Sequence, residues 1–229
     1  MGQVKYQPVI TVSATYGAGG SVIAPRLAAE LDLPFVDRLI SADASQDAVR
    51  HARSQEGLVK GEQESTPTGR FLSYFARAAT VGAVIGPDPD LQDDADIRVR
   101  TEEAMQELIA GGGGVVLGRA GAIVLASRPR AYHVRLDGPV ERRVAWAAPF
   151  EHLDLEAARR RQAETDRARA SFVKRLYRKD PADPSLYHLV LDPTVIGVDA
   201  AVEVIKAAAS AYFAFSAAAA ASSGPSSPA

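Results

Sequence analysis

Short apolar runs alternate with longer segments of helical periodicity along most of this chain. The runs are rich in valine, isoleucine and leucine, as buried parallel strands are. They predict five strands, over residues 8–13, 33–37, 115–117, 132–136 and 189–191. Helices are predicted after the first strand and over about 41–56, 71–79, 93–110, 139–180 and 199–214. This alternation predicts a three-layer α/β fold, in which helices cover both faces of a mostly parallel five-stranded sheet.

The helix that follows the first strand contains one irregular position. Val22, Ile23, Leu27 and Leu31 have helical spacing, but Pro25 lies among them. Because proline lacks the backbone N–H that a helix interior needs, the sequence predicts a tight or kinked first turn.

Composition sets the domain organisation and excludes several kinds of site. A chain of 229 residues, 47% of them hydrophobic, can form one domain, predicted over residues 1–216. The Ala, Ser and Pro of residues 217–229 predict a disordered tail. The absence of cysteine excludes disulfides and thiolate metal sites. The four histidines lack the spacing of metal ligands: His51, His133, His152 and His188.

Charge and hydropathy predict a cytoplasmic protein without a nucleic-acid or membrane partner. The formal charge is −2, which gives no global attraction to polyanions. No signal-like segment begins the sequence, and no apolar run approaches the roughly 18 residues of a membrane-spanning helix. The sequence does not indicate an oligomeric state.

Candidate ligand-binding residues follow the predicted strands. Ligands of parallel α/β sheets bind at the carboxyl ends of the strands. Residues 17–21, Asp37, Arg119 and Asp137 all lie at such ends. Asp37 and Asp137 could hold Mg²⁺ through water or shape the site, although aspartate at these positions also caps helices.

The glycines after the first strand are candidate phosphate ligands, because backbone amides at a helix N-terminus converge on anions. The stretch 14–21 (ATYGAGGS) partly matches the P-loop signature G-x-x-x-x-G-K-[ST]. Alanine and glycine replace the first glycine and the lysine of the signature. Glycines that only shape the turn between strand and helix, without binding a ligand, would give the same pattern. The candidate phosphate-binding residues are Tyr16, Gly17, Ala18, Gly19, Gly20 and Ser21.

Three segments resemble the cytidylate kinase-like family. Residues 9–40 share its Y-G-x-G-G loop, followed by Leu-Ala and by Pro-Phe with an acid. Residues 112–119 share a strand that ends in Gly-Arg, and residues 183–191 (DPSLYHLVL) share a second signature. The resemblance spans about residues 8–206, but residues 41–100 contain nothing diagnostic.

The resemblance implies a P-loop kinase-like fold and a nucleoside-monophosphate kinase that uses ATP and Mg²⁺. It implies that Ser21 ligates Mg²⁺ and that Arg119 holds the phosphate of the acceptor, CMP or dCMP, with Asp37 also in the acceptor site. It further implies that residues 41–100 form a helical acceptor-binding insertion.

The resemblance also implies an arginine-rich lid over residues 141–180, which hold eleven Lys/Arg and seven Asp/Glu. Mobile cations of this kind would neutralise phosphate charge and exclude water. Arg167 and Arg169 are the catalytic candidates, followed by Arg142 and Arg143. Since residues two apart do not share a helix face, at most one of Arg167 and Arg169 is expected to point inward.

The sequence departs from the family pattern at positions that carry charge. Family members often have arginine at the positions of Ala14 and Ser21, and aspartate at the position of Ala120. Arg26, one turn along the helix, could replace the missing cation if the helix bends at Pro25. These departures leave three functions open: a nucleotide-dependent kinase, a non-catalytic nucleotide- or phosphate-binding sensor, and a structural partner-binding domain.

Overall fold

The computed structural model, which describes residues 7–37, 94–118 and 120–222, contains one sheet of five strands. They are β1 (Val9–Ala14), β2 (Phe35–Asp37), β3 (Gly114–Leu117), β4 (Ala131–Leu136) and β5 (Leu189–Leu191). Every pairing is parallel and the order is β2-β3-β1-β4-β5, so β1 lies at the centre. The predicted parallel sheet is confirmed.

Seven α-helices lie in the described part of the chain. They are α1 (Gly20–Glu30), α2 (Asp94–Ala110), α3 (Gly121–Val124), α4 (Val140–Phe150), α5 (Leu155–Tyr177), α6 (Pro193–Ile196) and α7 (Val198–Ser222). The segment predicted as helical over 139–180 is divided between α4 and α5, because Asp154 begins a new helix. Its carboxylate accepts the Ala157 N–H at 2.7 Å, as an N-cap does. The helices predicted over 41–56 and 71–79 lie outside the described residues.

Helices cover both faces of the sheet, because successive side chains of β1 point to opposite sides. Ile10 and Val12 pack against Leu27 of α1 and Ile205 of α7. Val9 packs on the opposite face, in a cluster that includes Met105 of α2. The three predicted layers are therefore present, and the loop between β1 and α1 emerges at the carboxyl edge of the central strand.

The first turn of α1 is tight, as Pro25 predicts. The Gly19 carbonyl accepts N–H groups from both Val22, at 3.0 Å, and Ile23, at 2.9 Å. The helix then continues through Arg26, whose guanidinium bonds Glu30 and Asp199 where α1 meets α7. The hypothesis that Arg26 replaces the missing loop cation is therefore wrong, because the helical rotation of α1 turns this side chain towards α7.

Helix α7 is longer than the sequence analysis predicts. It continues to Ser222, so the prediction of a disordered tail from residue 217 is wrong for residues 217–222. Alanine has the highest helix propensity, and residues 217–221 are all alanine. Residues 223–229 lie outside the described part of the chain.

One segment of α7 has the length and composition of a membrane-spanning helix. It is Val198–Ala219, with 22 residues and a mean hydropathy of 1.3, contrary to the expectation that no apolar run is long enough. Four of its residues are fully buried among the core side chains: Ala201, Val202, Ile205 and Ala209. These contacts are those of a helix that packs on a sheet.

A buried histidine joins β1 to β4. The Thr11 hydroxyl lies 2.8 Å from Nδ1 of His133, which is 3% exposed. The His133 ring also stacks on the His188 ring, with centroids 4.9 Å apart. Burial lowers the pKa of His133 from 6.5 to about 4, and the neighbouring His188 contributes to the same shift.

This histidine predicts a loss of stability in mild acid. Below pH 6.5 His133 binds a proton in the unfolded chain, whereas in the folded protein it stays neutral until the pH falls to about 4. The free energy of unfolding should therefore fall across that window, by about 3 kcal/mol in total. Urea unfolding of wild type and His133→Gln, at pH 7 and at about pH 5, measures the effect. A wild-type loss that persists unchanged in the variant would contradict this assignment.

Candidate functional site

An open cleft of about 730 Å³ lies at the carboxyl edge of the sheet. Its walls are the loop after β1, the ends of β3 and β4, one face of α4 and one face of α5. The cleft has the place that ligand sites occupy in parallel α/β sheets.

Glycine is required at two positions of the loop between β1 and α1. Gly17 has a φ of 72° and Gly19 a φ of 77°, both in the left-handed region that disfavours side chains. A Cβ at Gly17 would overlap the carbonyl oxygen of Arg143, and one at Gly19 would lie 3.0 Å from the Trp146 ring. The loop therefore approaches α4 more closely than any other residue type permits.

The loop presents a group of backbone N–H groups that lack a protein acceptor. In the described part of the chain, the amides of Gly17, Gly19, Gly20 and Ser21 have no hydrogen-bond partner. All four residues line the cleft. Unpaired amides at the start of a helix carry partial positive charge and form the usual binding site for phosphate or another anion.

The N–H groups of the other two predicted phosphate-binding residues, Tyr16 and Ala18, already have protein acceptors. The Tyr16 N–H donates to Asp166 Oδ1 at 2.7 Å. Ala18 is fully buried in the main core, and its N–H donates to the Thr15 carbonyl at 3.2 Å. Ala18 therefore shapes the loop from beneath and does not face the cleft.

Two departures from the P-loop signature are in contact with each other. A Cβ at Gly20 would lie 2.5 Å from the Ala14 Cβ, so a side chain cannot be added at position 20 while alanine occupies position 14. The methyl group of Ala14 occupies space that a lysine at position 20 would need. The two departures from the signature are therefore linked: alanine at position 14 excludes lysine at position 20.

Arg143 fixes the loop from the side of α4. It is 4% exposed and donates to the carbonyl oxygens of Gly138 (2.7 Å) and Tyr16 (2.6 Å). Its Nη1 also donates to Asp166 Oδ2 at 2.9 Å. Asp166 thus bonds both the loop amide of Tyr16 and the arginine that holds the loop. The predicted candidate Arg143 is part of the site, but as a buried structural cation.

The Tyr16 side chain makes a second connection between the loop and the helices. Its hydroxyl donates to Glu151 Oε2 at 2.9 Å, and the same carboxylate oxygen lies 3.0 Å from Nε of Arg161. Burial raises the pKa of Tyr16, and the bond to Glu151 raises it further. The phenol is therefore a neutral donor at any physiological pH.

The two arginines predicted for the lid point in different directions, as the helical spacing predicts. Arg169 lines the cleft, and its Nη1 donates to the Ala14 carbonyl at 2.9 Å. Arg167 is exposed and lies on the outer face of α5. Arg142 also turns away from the cleft, since it pairs with Asp192 at 2.6 Å.

Asp137 ends β4 and is held by neighbouring groups. It accepts from Arg135 Nη2 at 2.7 Å, from the Gly138 N–H at 2.8 Å and from Thr15 Oγ1 at 2.9 Å. Burial alone would raise the pKa of Asp137, but the Gly138 amide and the Arg135 guanidinium outweigh it and keep the pKa below its usual value. Through these bonds Asp137 links the end of β4 to the loop after β1. Its role at a metal stays a prediction.

The remaining predicted site residues are Ser21, Asp37 and Arg119. Ser21 lines the cleft at the start of α1. Asp37 ends β2, where it pairs with Leu117 in the sheet register. Arg119 lies outside the described residues, although its neighbours Gly118 and Ala120 line the cleft.

Three further cations line the cleft that were not singled out as site residues from the sequence: Arg135, Arg161 and Lys174. Arg135 could have been found, because it is a charge within the buried β4 run two residues before Asp137. Among the described lining residues, these cations and Arg169 face four acids, Glu151, Glu164, Asp166 and Asp180. The described walls are therefore electrostatically balanced, and the unpaired amides add the partial positive charge of a helix N-terminus.

Comparison with known proteins agrees with this geometry. A sequence model of the cytidylate kinase-like family matches residues 9–194. The chain belongs to the cytidylate kinase-like family. A cytidylate kinase of Methanopyrus kandleri is 32% identical over 211 residues, which cover 87% of this chain and 92% of that protein. The glycine loop, Arg143 and Asp166 all lie within the part that matches the family.

A solved structure of an uncharacterized protein from Eubacterium ventriosum shares the fold. It aligns with a TM-score of 0.59 at 16% sequence identity, over 90% of this chain and 99% of that chain. The predicted α/β kinase-like fold of this family member is thus confirmed.

Proposed function

We propose that this member of the cytidylate kinase-like family is an ATP-dependent phosphotransferase whose acceptor is a nucleoside monophosphate such as CMP or dCMP. The observation that supports it best is the group of four unpaired loop amides, at Gly17, Gly19, Gly20 and Ser21, which face a cleft that Arg169 enters from α5. In this proposal the amides bind the donor phosphates, and Arg169 neutralises charge on the transferred phosphoryl group.

The described residues are compatible with a Mg²⁺ ion that binds together with the nucleotide. They contain no group of three or more side chains that could hold a metal ion unaided. Mg²⁺ in kinases is usually bound by few protein ligands together with substrate phosphates, and it neutralises phosphate charge there. The Ser21 hydroxyl, at the start of α1, is the proposed protein ligand, and Arg119 is the proposed contact for the acceptor phosphate.

A coupled assay of nucleoside-diphosphate production tests the proposal, with ATP, Mg²⁺ and CMP, dCMP, UMP or AMP as acceptor. We expect Arg169→Ala to lower kcat/KM by roughly 100- to 1000-fold, as the loss of one preorganised charge donor does. The matched control is Arg167→Ala, two residues away but on the exposed face, which should change kcat/KM by less than about twofold. Equal losses in both variants would contradict the role of Arg169.

A non-catalytic nucleotide or phosphate sensor is the second candidate. Two observations favour it: Ala14 prevents a lysine at position 20, and the cleft cations Arg161 and Lys174 are paired with Glu151 and Asp180. A sensor would bind ATP in calorimetry but would form no diphosphate with any acceptor. A protein that neither binds nor turns over nucleotide would serve as a structural partner.

A further inference from the structure

Two aromatic side chains form part of the cleft wall beside the glycine loop. Trp146 and Phe150, four residues apart on α4, lie on one helical face, and both line the cleft. Their ring centroids are 5.2 Å apart and their planes meet at 57°. The cleft wall next to the unpaired amides is thus aromatic as well as polar.

The position of Trp146 is fixed by the loop itself. Atoms of its six-membered ring lie 3.0 and 3.2 Å from the place that a Cβ on Gly19 would occupy. The indole therefore rests directly on the loop. Any molecule whose phosphates bind the amides of Gly19 and Gly20 has Trp146 as a close neighbour.

Phe150 presents part of its ring to the cleft. It is 42% exposed, at the last position of α4, while Val144 and Ala148 of the same helix are buried between α4 and α5. The energy of stacking depends on aromatic faces and suits any planar base. The tilt between the rings permits a flat base to stack on one ring while its edge contacts the other.

The polar groups next to this pair suit the edge of a heterocycle. Glu151 follows Phe150 in the chain, and its carboxylate meets Arg161, so an acceptor and a donor of hydrogen bonds lie together at the end of α4. Both residues line the cleft. The edge of a base on these rings would therefore lie beside the Glu151–Arg161 pair, as ligand sites combine apolar walls with a few polar groups.

We propose that Trp146 and Phe150 bind the nucleobase of the phosphoryl donor by stacking. The proposal rests on the proposed function, since it assumes that the loop amides hold the donor phosphates. The donor base is favoured over the acceptor base because the Trp146 ring touches Gly19, within the loop assigned to the donor.

The test compares a ligand that has a base with one that lacks it. Binding of ATP, inorganic tripolyphosphate and CMP, each with Mg²⁺, is measured by calorimetry for wild type, Trp146→Leu and Phe150→Leu. We expect each variant to lose about 5- to 100-fold in ATP affinity, the range for loss of a stacked base, with tripolyphosphate affinity unchanged within twofold. Phe215→Leu, which alters a 74% exposed aromatic residue of α7, is the control and should match wild type.

Trp146 provides a second readout, because it is the sole tryptophan of the chain. ATP should quench its emission more strongly than tripolyphosphate does. Equal loss of affinity for ATP and tripolyphosphate in the two variants, no loss for either, or a loss confined to CMP would overturn the donor-base assignment alone. Wild type that binds neither ATP nor tripolyphosphate would overturn this assignment together with the proposed function.

Discussion

Replacing Gly17 with alanine is expected to lower the rate of phosphotransfer strongly and to destabilise the fold. Gly17 has a φ of 72°, where a side chain costs about 1–3 kcal/mol. The added methyl would also overlap the Arg143 carbonyl oxygen, and such overpacking costs a further 1–3 kcal/mol or so. Because relief of that overlap must move the loop away from α4, the amides would leave their positions and kcat/KM should fall more than about 100-fold.

The chain offers a matched control for this substitution. Gly197 has a φ of 81° and a ψ of 164°, a region essentially restricted to glycine, so alanine is strained there too, but a Cβ would meet no atom within 4 Å. Gly197→Ala should therefore show the backbone strain without the overlap, and it should retain phosphotransfer because Gly197 lies outside the cleft. Urea unfolding and the coupled assay on both variants separate the two effects. Full activity in Gly17→Ala would contradict the placement of the loop against α4.

The elements that the sequence predicts well are those with a local cause. The apolar runs of β1 and β4 need only their own composition and spacing to be recognised as strands. The separation of Arg167 from Arg169 follows from helix geometry alone. The early end predicted for α7 was wrong because an alanine run is compatible with both low complexity and high helix propensity, and the exposed residues 217–219 follow their helix propensity.

The parts of the site that the sequence does not predict depend on contacts between distant segments. Tyr16 and Asp166 are 150 residues apart, yet the loop amide and the carboxylate are in direct contact. The overlap of Ala14 with any side chain at position 20 also appears only once the loop has closed. In the sequence Ala14 and Gly20 are unrelated departures from the signature, whereas in the fold Ala14 occupies the space that a lysine at position 20 would need.

Arg143 is the clearest example of a residue whose environment depends on distant segments. Its sequence context predicted a lid cation that contacts the phosphates. The structure instead gives it three protein acceptors in a buried position. Arg142, its neighbour in the chain, has a side chain that is 51% exposed and pairs with Asp192 at the surface. Adjacent arginines of the same helix thus have opposite environments, and this difference leads to a sharp prediction.

Arg143→Met is expected to destabilise the protein by roughly 3–5 kcal/mol, the cost of removing one partner of a buried ion pair. Methionine retains much of the apolar stem, but it removes the cation that pairs with Asp166 and leaves the carbonyls of Gly138 and Tyr16 without the donor that Arg143 supplies. Arg142→Met, the matched control, removes an exposed pair and should cost no more than about 1 kcal/mol. Urea unfolding at neutral pH measures both.

A double variant identifies the cause of the expected loss. If the uncompensated charge of Asp166 dominates, Asp166→Asn should restore part of the stability of Arg143→Met, because a neutral amide is cheaper to bury than an unpaired carboxylate. If the two unpaired carbonyls dominate, the second substitution should restore nothing. Similar losses in Arg142→Met and Arg143→Met would show instead that α4 does not hold the loop through Arg143.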